Sequence, residues 1–124
     1  MLLALALLSS LHAAPVALAD SVAGTWQITG DVAGNPLKEL CTIKQSGTTL
    51  TGSCTNESGG PYEVTGRVDG AKITFSHGGD YQGQALTMSY SATLAAPRAL
   101  KGSIDVQPFG VSGTFTATPA PAKP

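Results

Sequence analysis

Apolar side chains recur at every second position through most of the chain, interrupted at short intervals by Gly, Asn, Asp and Pro. Alternation of this kind is the pattern of strands with one buried face. It predicts eight strands, at about 23–32, 37–45, 49–56, 61–68, 71–77, 83–94, 99–106 and 111–118. In the first, Trp26, Ile28 and Val32 share a face, opposite Thr25, Gln27, Thr29 and Asp31. The fourth sets Tyr62, Val64 and Val68 against Glu63, Thr65 and Arg67, and the fifth sets Ile73, Phe75 and His77 against Lys72, Thr74 and Ser76. In the sixth, Leu86, Met88, Tyr90, Ala92 and Leu94 oppose Thr87, Ser89, Ser91 and Thr93. The seventh and eighth repeat the pattern, with Leu100, Ile104, Val106, Val111 and Phe115 on the apolar side.

The connections carry turn chemistry: Gly34-Asn35-Pro36, Ser46-Gly47, Ser58-Gly59-Gly60, Asp69-Gly70, Gly78-Gly79-Asp80, Ala96-Pro97-Arg98 and Pro108-Phe109-Gly110. All are too short for a crossover helix, so each strand should pair antiparallel with the next. A β-sandwich would also bury one face per strand. An unbroken run of hairpins, however, favours an all-β, eight-stranded antiparallel up-and-down barrel, which closes on itself and loses its edges. Glycine recurs on the inward parity at Gly24, Gly30, Gly52, Gly66, Gly102 and Gly113, where it lets strands coil tightly.

Outside this region the composition changes. Met1 to Ala19 reads as a signal peptide, with an apolar run from Leu2 to Leu11 and Ala17-Leu18-Ala19 as the cleavage motif, although no Lys or Arg precedes the run. Cleavage would leave a single domain over 20–118 and a disordered Pro/Ala tail over 119–124. The expected location is therefore exported, periplasmic or extracellular, with no membrane span in the mature chain. Charged residues are 12% of the chain and nearly balanced, for a net charge of −1, so no footprint for nucleic acid is expected.

Two cysteines fall on the second and third strands. A hairpin turn at Gly47-Thr48 pairs Gln45 with Leu50, Ile43 with Gly52 and Cys41 with Cys54, all on the inward face. In an exported protein a Cys41–Cys54 disulfide follows. A redox-active role is not expected, because the two are not in a Cys-x-x-Cys arrangement.

Catalytic motifs are lacking. The mature chain would hold one histidine, His77, and no metal-ligand spacing, nucleophile elbow, phosphate loop or calcium loop is present. Neither an enzyme nor a cofactor is expected. The one constellation resembling a proton-transfer pair is Glu39 with His77, on inward positions near one rim. Following strand direction sorts the residues between two ends. Trp26, Ile43, Leu50, Val68, Ile73, Leu94 and Leu100 gather at a near end, closed by tight turns. Val32, Asn35, Glu39, Asn56, Tyr62, His77, Asp80, Tyr81, Gln82, Gln84 and Phe109 gather at a far end, with longer glycine-rich loops expected there. Barrels bind at such mouths. Glu39, Tyr62, His77, Asp80, Tyr81 and Gln84 are the candidate ligand-binding residues, with Gly78-Gly79-Asp80 as a mobile flap.

The opening Gly24-Thr25-Trp26 resembles the first strand of lipocalin-type and avidin-type barrels. With Gln45-Ser46-Gly47-Thr48-Thr49-Leu50-Thr51-Gly52 and Val68-Asp69-Gly70, the chain resembles small secreted bacterial β-barrel proteins over its whole mature length. That resemblance implies a calycin-like fold and no agreed activity. Biotin binding does not transfer, since avidin-type pockets are walled by several tryptophans and Trp26 is the only one here. Two functions are expected to compete: binding an unknown small molecule at the far mouth, or engaging an exported protein partner. The second resembles the periplasmic inhibitors of metalloproteases, which are small disulfide-bearing barrels acting through an N-terminal trunk. Here only Asp20, Ser21 and Val22 would precede the first strand, which counts against a trunk of that kind. A structural envelope role is a third expectation.

Overall fold

The computed structural model describes residues 21–95 and 98–120. Eight strands follow one another: β1 (Gly24–Val32), β2 (Asn35–Ser46), β3 (Thr49–Asn56), β4 (Gly59–Asp69), β5 (Lys72–Tyr81), β6 (Gln84–Ala95), β7 (Ala99–Gln107) and β8 (Val111–Pro119). Each pairs antiparallel with its successor, and β8 returns to β1, so the sheet closes into a barrel rather than splitting into a sandwich. The expected signal peptide and residues 121–124 lie outside the described residues. β8 runs one residue past the boundary expected from the sequence, to Pro119, and the Ala120 N–H donates to the Thr25 carbonyl at 2.8 Å. No helix among the described residues is long and apolar enough to cross a membrane.

The clearest departure from the sequence reading lies between β5 and β6. Gly78-Gly79-Asp80 is not a flap but strand, with Gly78 opposite Thr87, Gly79 opposite Leu86 and Asp80 opposite Ala85. The turn is Gln82-Gly83, with φ of 51° and 82°. Positive φ at both central residues is the two-residue hairpin that matches strand twist. A Cβ at Gly79 would meet the tip of the Leu86 side chain at 2.8 Å, which a change of leucine rotamer could relieve. The far-end connections at Ala33-Gly34, Glu57-Ser58 and Gln82-Gly83 are two residues each and Pro108-Phe109-Gly110 is three, no longer than those at the near end, so the expected longer loops at the far end are absent.

Alternation holds inside. Trp26, Ile28, Cys41, Ile43, Leu50, Cys54, Val64, Ile73, Phe75, Tyr90, Leu100, Ile104 and Phe115 are buried, while their strand neighbours face solvent. The tightest approaches occur at Gly102 and Gly113, where a Cβ would fall on the carbonyl oxygens of Ser91 and Asp31 on adjacent strands. Side chains fill the interior of a barrel this small. An apolar void of about 10 Å³ lies among Val22, Trp26, Ile43, Leu50, Ile73 and Leu100.

Pairing rows climb as they go round. The row from Val32 passes Gly113, Ile104, Tyr90, Phe75, Gly66 and Leu50 to Gln45, which lies two residues beyond Ile43, the partner of Gly24. The row therefore comes home two residues before Gly24, at Val22, well below its start. This stagger tilts the strands and brings β2 and β6 side chains together across the interior.

The wall has one opening. β4 and β5 are in register only over Thr65–Asp69 and Lys72–Ser76. Beyond Ser76 β5 pairs with β6 alone, past the Thr87–Gln107 pair the β5–β6 hairpin continues as a two-stranded ribbon, and Gly59–Val64 of β4 pairs with β3 alone. A bulge in β4, between the Cys54–Tyr62 and Asn56–Gly59 pairs, bends this stretch of strand.

Cys41 and Cys54 face each other with Cα atoms 4.0 Å apart and are joined as a disulfide, in the register expected from the sequence. Closing a loop of this length should stabilise the fold by about 3 kcal/mol. Cys41→Ser combined with Cys54→Ser should lower the denaturation midpoint accordingly while the β signature in circular dichroism persists. Titratable thiols in the native protein would contradict the pairing.

Candidate functional site

Three polar side chains meet inside the far half of the barrel. Glu39 arrives from β2, His77 from β5 and Tyr90 from β6; Glu39 and His77 are each 3% exposed. His77 Nε2 stands 3.0 Å and 3.2 Å from the two Glu39 oxygens and 3.1 Å from the Tyr90 hydroxyl. The Tyr90 hydroxyl donates to Glu39 Oε1, and Asn56 Nδ2 donates to Glu39 Oε2 at 3.1 Å. On its other side, His77 Nδ1 lies 2.6 Å from the Gly78 carbonyl.

The proton positions follow from these partners. A carbonyl can only accept, so Nδ1 carries a proton. Nε2 faces a carboxylate and must donate to it, so the imidazole is doubly protonated and Glu39 ionised. Burial pushes the Glu39 carboxyl up, but the His77 hydrogen bond and charge, helped by Tyr90 and Asn56, outweigh it and hold the group below its ordinary value. Burial likewise pushes His77 down, and Glu39 with the Gly78 carbonyl reverses that, raising it. Burial and then the adjacent carboxylate push the Tyr90 phenol up, so it remains a donor. Among the described residues every buried side-chain polar atom has a partner.

The rim expected from the sequence is therefore not solvated at this point. Tyr62 stacks on His77 at 5.8 Å and 16°, while Phe75 stacks on Tyr90 at 4.5 Å with Phe115 edge-on to the same ring. Glu39, Tyr62 and His77 are brought together as expected. Asp80, Tyr81 and Gln84 are not part of this cluster; they sit exposed at the tip of the β5–β6 ribbon. Asp80 Oδ1 accepts the Gly83 N–H at 3.0 Å, which braces the turn. Tyr81, 54% exposed, packs edge-on against Phe109 of the β7–β8 turn, 41% exposed, at 6.0 Å. The ribbon thus leans toward β7–β8.

Tyr90 and Asn56 complete the cluster without having been expected in it. Both have inward parity, and Asn56 is opposite Glu39 in the β2–β3 ladder. Tyr90 reaches Glu39 only because the barrel is staggered.

Exposed charge separates between the ends. The near half carries Lys44, Arg67, Lys72, Arg98 and Lys101 against Asp69; the far half carries Asp31, Glu57, Glu63, Asp80 and Asp105 against Lys38. Glu39 and His77 cancel each other. No surface ion pair occurs among the described residues. The nearly neutral chain is thus a barrel with a basic base and an acidic mouth.

No group of three His, Cys, Asp or Glu side chains that could hold a metal occurs among the described residues. No protein-family model matches this chain, and no curated protein matches it.

Proposed function

We propose that this is an exported, non-enzymatic binding protein that engages its target across the acidic far mouth. The observation that carries the reading is the Tyr81–Phe109 pair, exposed aromatic surface at the rim of a barrel whose interior is already filled. Adjoining exposed aromatics, unlike single scattered apolar side chains, are the kind of patch that marks an interaction surface. Tyr62 lies stacked over His77 beneath the rim, so a target rests on the mouth instead of entering it. That favours an exported protein partner over an enclosed small molecule. The resemblance to lipocalin-type barrels, which bind at one open end, and the disulfide, which an oxidising compartment allows, agree with it. Glu39 and His77 serve structure in this reading: they are buried and saturate each other.

Native mass spectrometry of the protein taken from its own compartment should show a protein adduct. Chemical-shift mapping with that partner should perturb Tyr62, Asp80, Tyr81, Gln84 and Phe109. Shifts confined to the Thr-rich outer faces or to the basic end would overturn the reading.

A further inference from the structure

The β4–β5 opening gives the mouth a definite recognition chemistry. In a two-residue hairpin the residues flanking the turn, here Tyr81 and Gln84, bond to each other. Alternation then turns the N–H and C=O groups of Gly78 and Asp80 away from β6, toward β4. Above Ser76 no ladder with β4 receives them. The Gly78 carbonyl is taken by His77 Nδ1, which leaves the Gly78 N–H and both backbone groups of Asp80 presented along an open edge. Natural sheets normally cover or blunt such edges. Here the β4–β5 ladder ends at Ser76 and leaves the edge bare.

The surroundings of the edge are uneven. Glu63 on β4 and Asp80 on β5 lie on the outward parity, one on each lip, and both are exposed. Neither has a cationic partner among the described residues. On the inward parity the opening is floored by Tyr62 and flanked by Tyr81. A strand laid along this edge would send alternate side chains outward between two carboxylates and inward onto aromatic rings.

We infer that the open edge of β5 accepts an extended, cationic segment of the partner protein as an added strand, its lysine or arginine side chains alternating with apolar ones. The inference rests on the mouth-binding reading and specifies its partner. Backbone pairing supplies affinity in strand addition, and alternate side chains supply specificity. Opposite charges directly across a strand pair add to it, and a cation beside an exposed aromatic adds again.

The test uses the full mature, disulfide-bonded chain, isotopically labelled. The probe is a capped peptide of alternating valine and lysine, about eight residues long so that it covers the edge. Its addition should shift the amides of Gly78, Gly79, Asp80 and Tyr62, and the shifts should weaken as salt rises. The same peptide with glutamate for lysine should not bind. Asp80→Asn with Glu63→Gln, both exposed substitutions, should weaken binding about tenfold. A lysine peptide N-methylated at alternate residues keeps its charge, loses edge donors and should fail to bind.

Equal binding by the N-methylated peptide would reduce the effect to charge attraction and overturn strand addition. Absence of binding by the lysine peptide overturns it as well. Shifts at Tyr81, Phe109 and Gln84 without the β5 edge amides would leave the mouth as a binding surface and remove the strand. Shifts at the same edge that grow with protein concentration, without peptide, would make the occupant a second copy presenting its basic end.

Discussion

Glu39→Ala should lower the stability of the domain by about 3–5 kcal/mol, the usual cost of removing one partner of a buried ion pair. Against a total of about 5–15 kcal/mol for a typical domain, such a loss puts the fold at risk. The substitution removes the carboxylate that accepts from the Tyr90 hydroxyl, leaving that group His77 Nε2 at 3.1 Å, and strips His77 of the anion that keeps it charged. Glu39→Gln should cost far less. Its amide nitrogen can donate to Nε2 of a neutral His77 while its oxygen accepts from Tyr90, and His77 Nδ1–H keeps the Gly78 carbonyl. The two proteins should then differ in pH dependence. In the wild type His77 is raised above its ordinary 6.5, so its contribution is complete below 6.5 and disappears as pH rises through the raised value. Glu39 is lowered below 4.5, so its contribution is complete above 4.5 and disappears as pH falls through the lowered value. Stability from the pair is greatest between pH 4.5 and 6.5. In Glu39→Gln, buried His77 is neutral and the alkaline loss above 6.5 should vanish. Urea unfolding from pH 5 to 9 measures this; parallel curves for the two proteins would show that the pair is not ionised.

How much of this was legible in the sequence depends on range. Strand parity placed Trp26, Cys41, Cys54, Glu39 and His77 on the inward face. One hairpin register then set Cys41 against Cys54, because each step needed only neighbouring strands. The Glu39–His77 meeting was foreseen from strand direction alone, but its burial was not, since Tyr62 covers it from a strand that a bulge has re-aimed. Tyr90 was out of reach for a different reason: parity says which face a residue occupies, not how far the barrel is sheared. Gly78-Gly79 was read as a loop because paired glycines usually mark one. Here they continue β5 opposite Thr87 and Leu86, past the point where β4 stops pairing with it.

Trp26→Ala should cost about 3–5 kcal/mol, the range for deleting a buried aromatic. Trp26 is 2% exposed on the near end of β1, and more than its ring is at stake. Its indole Nε1 donates to the Val22 carbonyl at 2.8 Å. Val22, also 2% exposed, seals the basic end, with its N–H donating to Gln45 Oε1 at 2.9 Å. The Arg98 guanidinium lies over the indole at 5.6 Å and reaches the Ala23 carbonyl at 3.3 Å. Losing the indole therefore opens a cavity and unfastens the segment that stoppers it, so relaxation of the site should not recover the loss. Trp26→Phe separates the two effects. It retains most of the ring while leaving the Val22 carbonyl without its donor, and should cost about 1–3 kcal/mol. The native protein should show blue-shifted tryptophan emission protected from iodide, since Trp26 is the only tryptophan in the chain. Red-shifted, freely quenched emission would mean that the near end is open and that the Val22 stopper does not form.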